Sequence, residues 1–150
     1  MSGKKYIIGI DPDCDKSGVA VKDTATKKIT LGTLSFFNLF DFLKKHGENI
    51  ELVKIEAAWL IDKSNWHVPN ARAAVSSRIG KNVGANHESG RKIAEMCEYL
   101  QVKYQLVKPL RKRNWKGPNG KITHKEWVMV SKSELKSTNQ EERDAGLLVL

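Results

Sequence analysis

An α/β domain built on one mixed five-stranded sheet with helices on its faces is the fold class that the sequence predicts. Three observations predict it. Short apolar or alternating runs are separated by turn residues, as strands are. Two of these runs, "KKYIIGID" and "IELVKIEAAW", read as buried on both faces, the habit of central parallel strands. Amphipathic helical patterns fall between and after them, giving the order β-β-β-α-β-α-β-α-α.

"KKYIIGID" is the first strand, "GVAVKD" alternates as a second, and "ITLGTLS" is a third beyond the polar turn "TATKK". Together they predict an antiparallel meander. Ser35 can cap the helix "FFNLFDFLKKHG", in which Phe36, Phe37, Leu39, Phe40 and Leu43 recur at helical spacing and which Gly47 ends. "IELVKIEAAW" follows that helix, so the fourth strand is expected to run parallel to the first. The stretch 62–85 is less regular and reads as loop with some helix. "NHESGRKIAEMCEYL" is a helix with Ile93, Met96, Cys97 and Leu100 on one face, and "VKYQLVKP" is the fifth strand. A basic loop, "RKRNWKGPNGKI", leads to "HKEWVMV", ahead of which Thr123 and Glu126 have capping-box spacing. Asn139 and Glu142 repeat that signal at the final helix, "NQEERDAGLLVL".

The chain of 150 residues has the size of one ordinary domain, and residues 1–150 are read as a single unit. No apolar run approaches the roughly 20 residues of a membrane span, and "MSGKKYIIGI" lacks a small-residue cleavage site, so neither an anchor nor a signal peptide is read. Cys14 and Cys97 have no metal or disulfide spacing; two free thiols in a reducing cytoplasm are expected. The net charge of +9 favours a polyanionic partner. Its distribution is uneven. Lys108, Arg111, Lys112, Arg113, Lys116, Lys121, Lys125 and Lys132 are opposed by Glu126 alone, and Trp115 and Trp127 lie among them.

Carboxylates stand at the ends of distant elements. Asp11 follows "IIGI" and Glu56 follows "LVKI". In adjacent parallel strands, about 4.8 Å apart, they would share the sheet edge at which α/β folds bind ligands. Two carboxylates there repel each other unless a cation or a proton lies between them. Glu141 and Asp144 are i and i+3 on the last helix and share a face, just before it turns apolar. Four carboxylates from three segments could surround Mg²⁺ or Mn²⁺, which prefer oxygen ligands. Two such ions about 4 Å apart would activate a water and stabilise a leaving oxygen. Each acid also has a plainer reading. Asp11 before Pro12 suits a turn, and Glu141 and Asp144 suit a helix N-terminus. Glu56 is harder to explain so, being a charge inside an apolar strand.

With these residues in hand, the sequence resembles the RuvC-type Holliday junction resolvases of the ribonuclease H-like nuclease superfamily, along most of its length. "IIGIDPDCDKSGVAV" is similar to the family's opening "GIDPG…TG…V", "KIEAAW" to its second acidic motif, and "EERDAGLLVL" to its closing "DAADAL". "NVGANHESGRKIAEM" resembles the glycine-containing start of its next helix. The resemblance implies a ribonuclease H-like sheet of order 3-2-1-4-5. It implies metal ligands at Asp11, Glu56, Glu141 and Asp144, holding two Mg²⁺ or Mn²⁺ ions. "LVKPLRKRNWKG" and "HKEWV" resemble the family's basic segment, which implies phosphate contacts at Lys108, Arg111, Lys112, Arg113 and Lys116 and a catalytic role for Lys125. Trp59 has the spacing of an aromatic that contacts bases at the junction. The implied activity is cleavage of branched DNA, four-way junctions above all, by a homodimer. Three positions depart from the pattern. Asp13 stands where glycine is usual, Glu141 is a longer acid than usual, and the family's last helix often runs beyond the position of Leu150.

Alternatives come from other classes. A non-catalytic nucleic-acid-binding module of the same fold would have lost a ligand, and all four are present. A ribonuclease H-like nuclease for another branched or hybrid substrate would carry the same acids. An actin-like ATPase also opens on "GID", but needs two domains of this kind.

Overall fold

The computed structural model describes residues 3–60, 73–109 and 115–150. The strands are β1 Tyr6–Asp11, β2 Lys16–Asp23, β3 Ile29–Ser35, β4 Ile50–Glu56 and β5 Tyr104–Val107. The helices are α1 Phe36–His46, α2 Ala73–Leu100, α3 His124–Ser131 and α4 Gln140–Leu147. They form one sheet of order β3-β2-β1-β4-β5. β1, β2 and β3 pair antiparallel, while β4 runs parallel to both β1 and β5. This is the five-stranded sheet that the strand pattern predicts, in the order that the family resemblance implies.

Local chemistry explains the elements. Asp23 accepts hydrogen bonds from the backbone N–H groups of Ala25 and Thr26 at 2.9 and 3.2 Å, which closes the β2–β3 turn. The Ser35 hydroxyl accepts from the Asn38 N–H and starts α1. Both capping boxes, Thr123 with Glu126 and Asn139 with Glu142, are formed. Leu39 and Leu43 carry the buried stripe of α1, whereas Phe37 is 78% exposed on its outer face. Gly47 stays right-handed, and α1 passes into a short 3₁₀ turn instead of stopping in a left-handed cap.

Two boundaries differ from expectation. β4 stops at Glu56, because the Ala57 N–H makes a last bond to the Val107 carbonyl and Ala58–Leu60 then coils into a 3₁₀ turn. The helix expected from Asn86 begins at Ala73. Gly80 and Gly84 weaken its helical signal, and glycine costs about 1 kcal/mol against alanine in a helix. Residues 61–72, the rest of the irregular stretch, lie outside the described residues.

The core has two faces. Ile8, Ile10, Val53 and Ile55 of the central strands pack with Leu39, Leu43, Ile93, Met96 and Cys97. Ala20 packs with Ala145, Leu148 and Val149 of the last helical segment on the other face. Each buried Ile or Leu contributes about 1.5–3 kcal/mol. Gly9 and Gly18 let α4 lie close: a Cβ on Gly9 would stand 2.5 Å from the Ala145 carbonyl oxygen, and one on Gly18 would overlap the Glu141 backbone. Trp127, expected among the basic residues, is fully buried over Gly146 and belongs to the core. Cys14 and Cys97 are both free; burial pushes the Cys97 thiol up to about 12.

Candidate metal and nucleic-acid site

Ile10 of β1 pairs with Ile55 of β4, so the residues that follow, Asp11 and Glu56, emerge side by side at one end of the sheet. Val107 of β5 pairs with Glu56, and Lys108 therefore leaves the sheet at the same edge, exposed. α4 brings the other two acids. Glu141 lies over Gly18, which pairs with Asp11, and Asp144 follows one turn later.

Burial and mutual repulsion act on this group. Burial, then the charges of Glu56, Asp144 and Glu141, push the Asp11 carboxyl up to about 8 against the pull of Lys121. Burial and Asp144 push Glu56 up to about 7, again opposed by Lys121. At neutral pH the bare centre thus retains protons that a bound cation would displace. All donors are oxygens, and one lysine is too little positive charge for four acids, so the residues fit a hard divalent cation. The acids are near enough to act on one another's charge, yet no three of them bring ligand atoms within 4.8 Å; among the described residues the three ligand atoms that do so belong to Asp13, Cys14 and Asp15, on the neighbouring loop.

That loop resolves the position where glycine was expected. The Asp13 carboxylate accepts from the Asp15 N–H at 3.1 Å, and the Asp13 N–H donates to the Ser17 hydroxyl at 3.1 Å. Asp13 is not among the left-handed residues, so the turn does not require glycine. The Asn86 side chain accepts from the Cys14 N–H at 3.2 Å and ties the loop to α2.

Lys121 is the cation that the structure sets against the acids. Its Nζ lies 3.4 Å from Asp144 Oδ2, while Gln140 Nε2 donates to Asp144 Oδ1 at 2.8 Å. Lys121 is presented by the Pro118–Gly120 turn, in which Asn119 and Gly120 have φ of 57° and 74°. Arg143 clamps the two segments together, donating to the Ile122 carbonyl at 3.0 Å and the Thr138 carbonyl at 2.6 Å. The sequence reading assigned no role to Lys121 or Arg143. The signal for Lys121 was its place between a Pro-Asn-Gly turn and the buried Ile122. Lys125 is exposed in the first turn of α3 and makes no ion pair among the described residues. Lys116 is also exposed; Arg111, Lys112 and Arg113 lie outside the described residues.

Trp59 is half-buried against α2. Gly90 leaves it room, since a Cβ there would overlap its ring, and the Arg91 guanidinium lies 5.7 Å from the ring centroid. Trp59 forms one wall of a pocket of about 190 Å³, with Asp11, Pro12, Glu56, Ala58, Asn86 and His87 as the others.

These features define a mixed α/β fold of ribonuclease H-like topology, with an acidic centre at the C-terminal edge of its parallel strands. No protein-family model matches the chain, and no curated protein does. Among solved structures, it is similar to Thermus thermophilus RuvC in complex with a Holliday junction substrate, with a TM-score of 0.52 and 11% identity over 94% of this chain and 87% of that one. A second Thermus thermophilus RuvC structure aligns at a TM-score of 0.48 with 13% identity, covering 93% and 88% of the two chains. The yeast mitochondrial Holliday junction resolvase Ydc2 aligns at 0.39 with 9% identity, covering 98% and 78%.

Proposed function

We propose that the chain is a divalent-metal-dependent endonuclease that cuts branched DNA, with the four-way junction as its preferred substrate. The observation that carries this reading is the convergence of Asp11, Glu56, Glu141 and Asp144 around a centre too acidic to stay fully ionised without a cation. The similarity of the fold to a RuvC bound to a Holliday junction substrate supports the choice of DNA. Asp11, Glu56, Glu141 and Asp144 would hold Mg²⁺ or Mn²⁺, two ions per site. When bound, the ions supply Lewis acidity and a more acidic water for phosphodiester hydrolysis.

The remaining work falls to the protein. Lys121, held by Asp144, offers a cation where charge develops on the phosphate. Lys108, Lys116 and Lys125, with Arg111, Lys112 and Arg113, bind phosphates and fix the strand in register. Trp59 presents an amphipathic ring for an unpaired base at the branch point. Two symmetric cuts in a four-way junction call for a two-fold homodimer, working in the cytoplasm.

A panel of labelled four-way junctions, forks, flaps and RNA–DNA hybrids, incubated with Mg²⁺ and with EDTA, tests the reading. Cleavage of the four-way junction in Mg²⁺ alone supports it. Binding without cleavage of any substrate identifies a non-catalytic module, and preferred cleavage of hybrids moves the substrate elsewhere.

A further inference from the structure

The end of the sheet opposite the acids carries a second feature. A groove of about 750 Å³ opens between the β2–β3 turn and the segment joining α3 to α4, lined by residues 26–30 and 131–135. Lys27, Lys28 and Lys132 are exposed along it; Glu134 is the one acid among the lining residues, and the Asp23 carboxylate is engaged by the backbone of the turn. None of these lysines makes an ion pair among the described residues. Lys27 and Lys132 both have left-handed backbones, with φ of 65° and 57°. Each wall has a local bond of its own: the Ser131 hydroxyl donates to the Trp127 carbonyl at 2.6 Å, and the Thr26 hydroxyl accepts from the Lys28 N–H at 3.3 Å.

Position gives the groove its meaning. Asp11 pairs with Gly18, and β2 then runs to Asp23, five residues or about 17 Å further. The opposite wall is reached along α3, which starts just after Lys121 beside Asp144 and ends at Lys132. Lys125 lies in the first turn of α3 and Lys132 is its left-handed C-cap, so an exposed lysine stands near each end of this helix. Exposed lysines thus mark both the start of α3, beside the acids, and its end, at the groove.

We propose that this groove binds the phosphate backbone of a duplex DNA arm that extends away from the acidic centre. The proposal rests on the nuclease reading for the position of the branch point. At a rise of about 3.4 Å per base pair, 17 Å corresponds to roughly five base pairs, so the groove meets phosphates from about the fifth pair outward. The lysines contribute affinity and arm orientation, with no sequence preference.

The test is anisotropy titration of a four-way junction in EDTA, across a series of salt concentrations, using wild type and the triple variant Lys27→Ala/Lys28→Ala/Lys132→Ala. All three side chains are exposed, so the fold is retained; a circular dichroism melt checks this. The expected result is roughly tenfold weaker binding, with the slope of log K against log salt shallower by about 2 to 3. Neutral methylphosphonate linkages about five to eight pairs from the branch point should weaken wild-type binding similarly and the variant little further. Unchanged affinity and slope in the variant, or no effect of the neutral linkages, overturns the proposal, and would leave the groove to an acidic protein. Binding reads the groove independently of cutting. If arm binding behaves as expected but no junction is cleaved in Mg²⁺, the nuclease reading fails and the groove stands.

Discussion

The two ends of the sheet carry opposite charges in opposite surroundings. At the C-terminal end of β1, Asp11 and Glu56 are largely withdrawn from water, and their pKa values rise because burial and neighbouring acids disfavour ionisation. At the hairpin end, Lys27, Lys28 and Lys132 are exposed and meet few acids. Buried charge is costly without a partner, so an acidic group kept in that state points to a ligand that the chain itself does not supply. Solvated charge costs little and acts at longer range, weakened by salt. The acidic end should therefore govern chemistry, with large effects, and the basic end should govern association, with small and salt-dependent ones.

The largest expected effect is at Asp11. Asp11→Asn should lower the rate of junction cleavage by about 10³-fold or more while binding in EDTA stays near wild type, because a lost ligand removes several kcal/mol of charge stabilisation. Next comes Lys121. Lys121→Met should cost about 10²-fold in cleavage rate. It should also move the acidic limb of the pH–rate profile upward, since Lys121 holds the Asp11 and Glu56 pKa values down. Lys125→Met, at an exposed position without an ion pair, should cost less than Lys121→Met and leave that limb in place. Equal effects from the two lysines would erase the distinction between the acidic centre and its basic surroundings.

Trp59→Ala should weaken junction binding roughly tenfold through lost base stacking, measured by anisotropy in EDTA. A drop in melting temperature without a change in binding would instead make Trp59 a wall residue for Gly90 and Pro12.

The last effect is thermal and is read without DNA. Both carboxyls are raised in the folded chain, so from about pH 4 to pH 8 the folded state holds more protons than the unfolded one. Their contribution to stability is present at low pH and lost as pH rises through 7 and 8. In EDTA the melting temperature should fall by on the order of 10 °C between pH 5.5 and 8.5; Asp11→Asn should remove most of that fall, and millimolar Mg²⁺ should reverse it.

The fold was legible because its signals are local and mutually consistent. The meander, the strand of "LVKI" and both capping boxes follow from periodicity and cap spacing. Asp11 and Glu56 were legible for a related reason: an acid closing a doubly buried strand is conspicuous, and parallel pairing brings two such acids to one edge. Lys121 was not legible, since it meets Asp144 only because Arg143 bridges the basic segment to α4, and such a tertiary contact leaves no periodic trace. Trp127 reads like Trp115 in the sequence, but Gly146 gives it a place in the core. The early part of α2 was hidden by its glycines.

The most direct measurement is cleavage of an end-labelled four-way junction in Mg²⁺ by wild type and Asp11→Asn side by side, with binding followed in EDTA. The predicted result is symmetric cleavage by wild type, none by the variant, and the same affinity for both. Undiminished cutting by Asp11→Asn would contradict the assignment of the acidic centre.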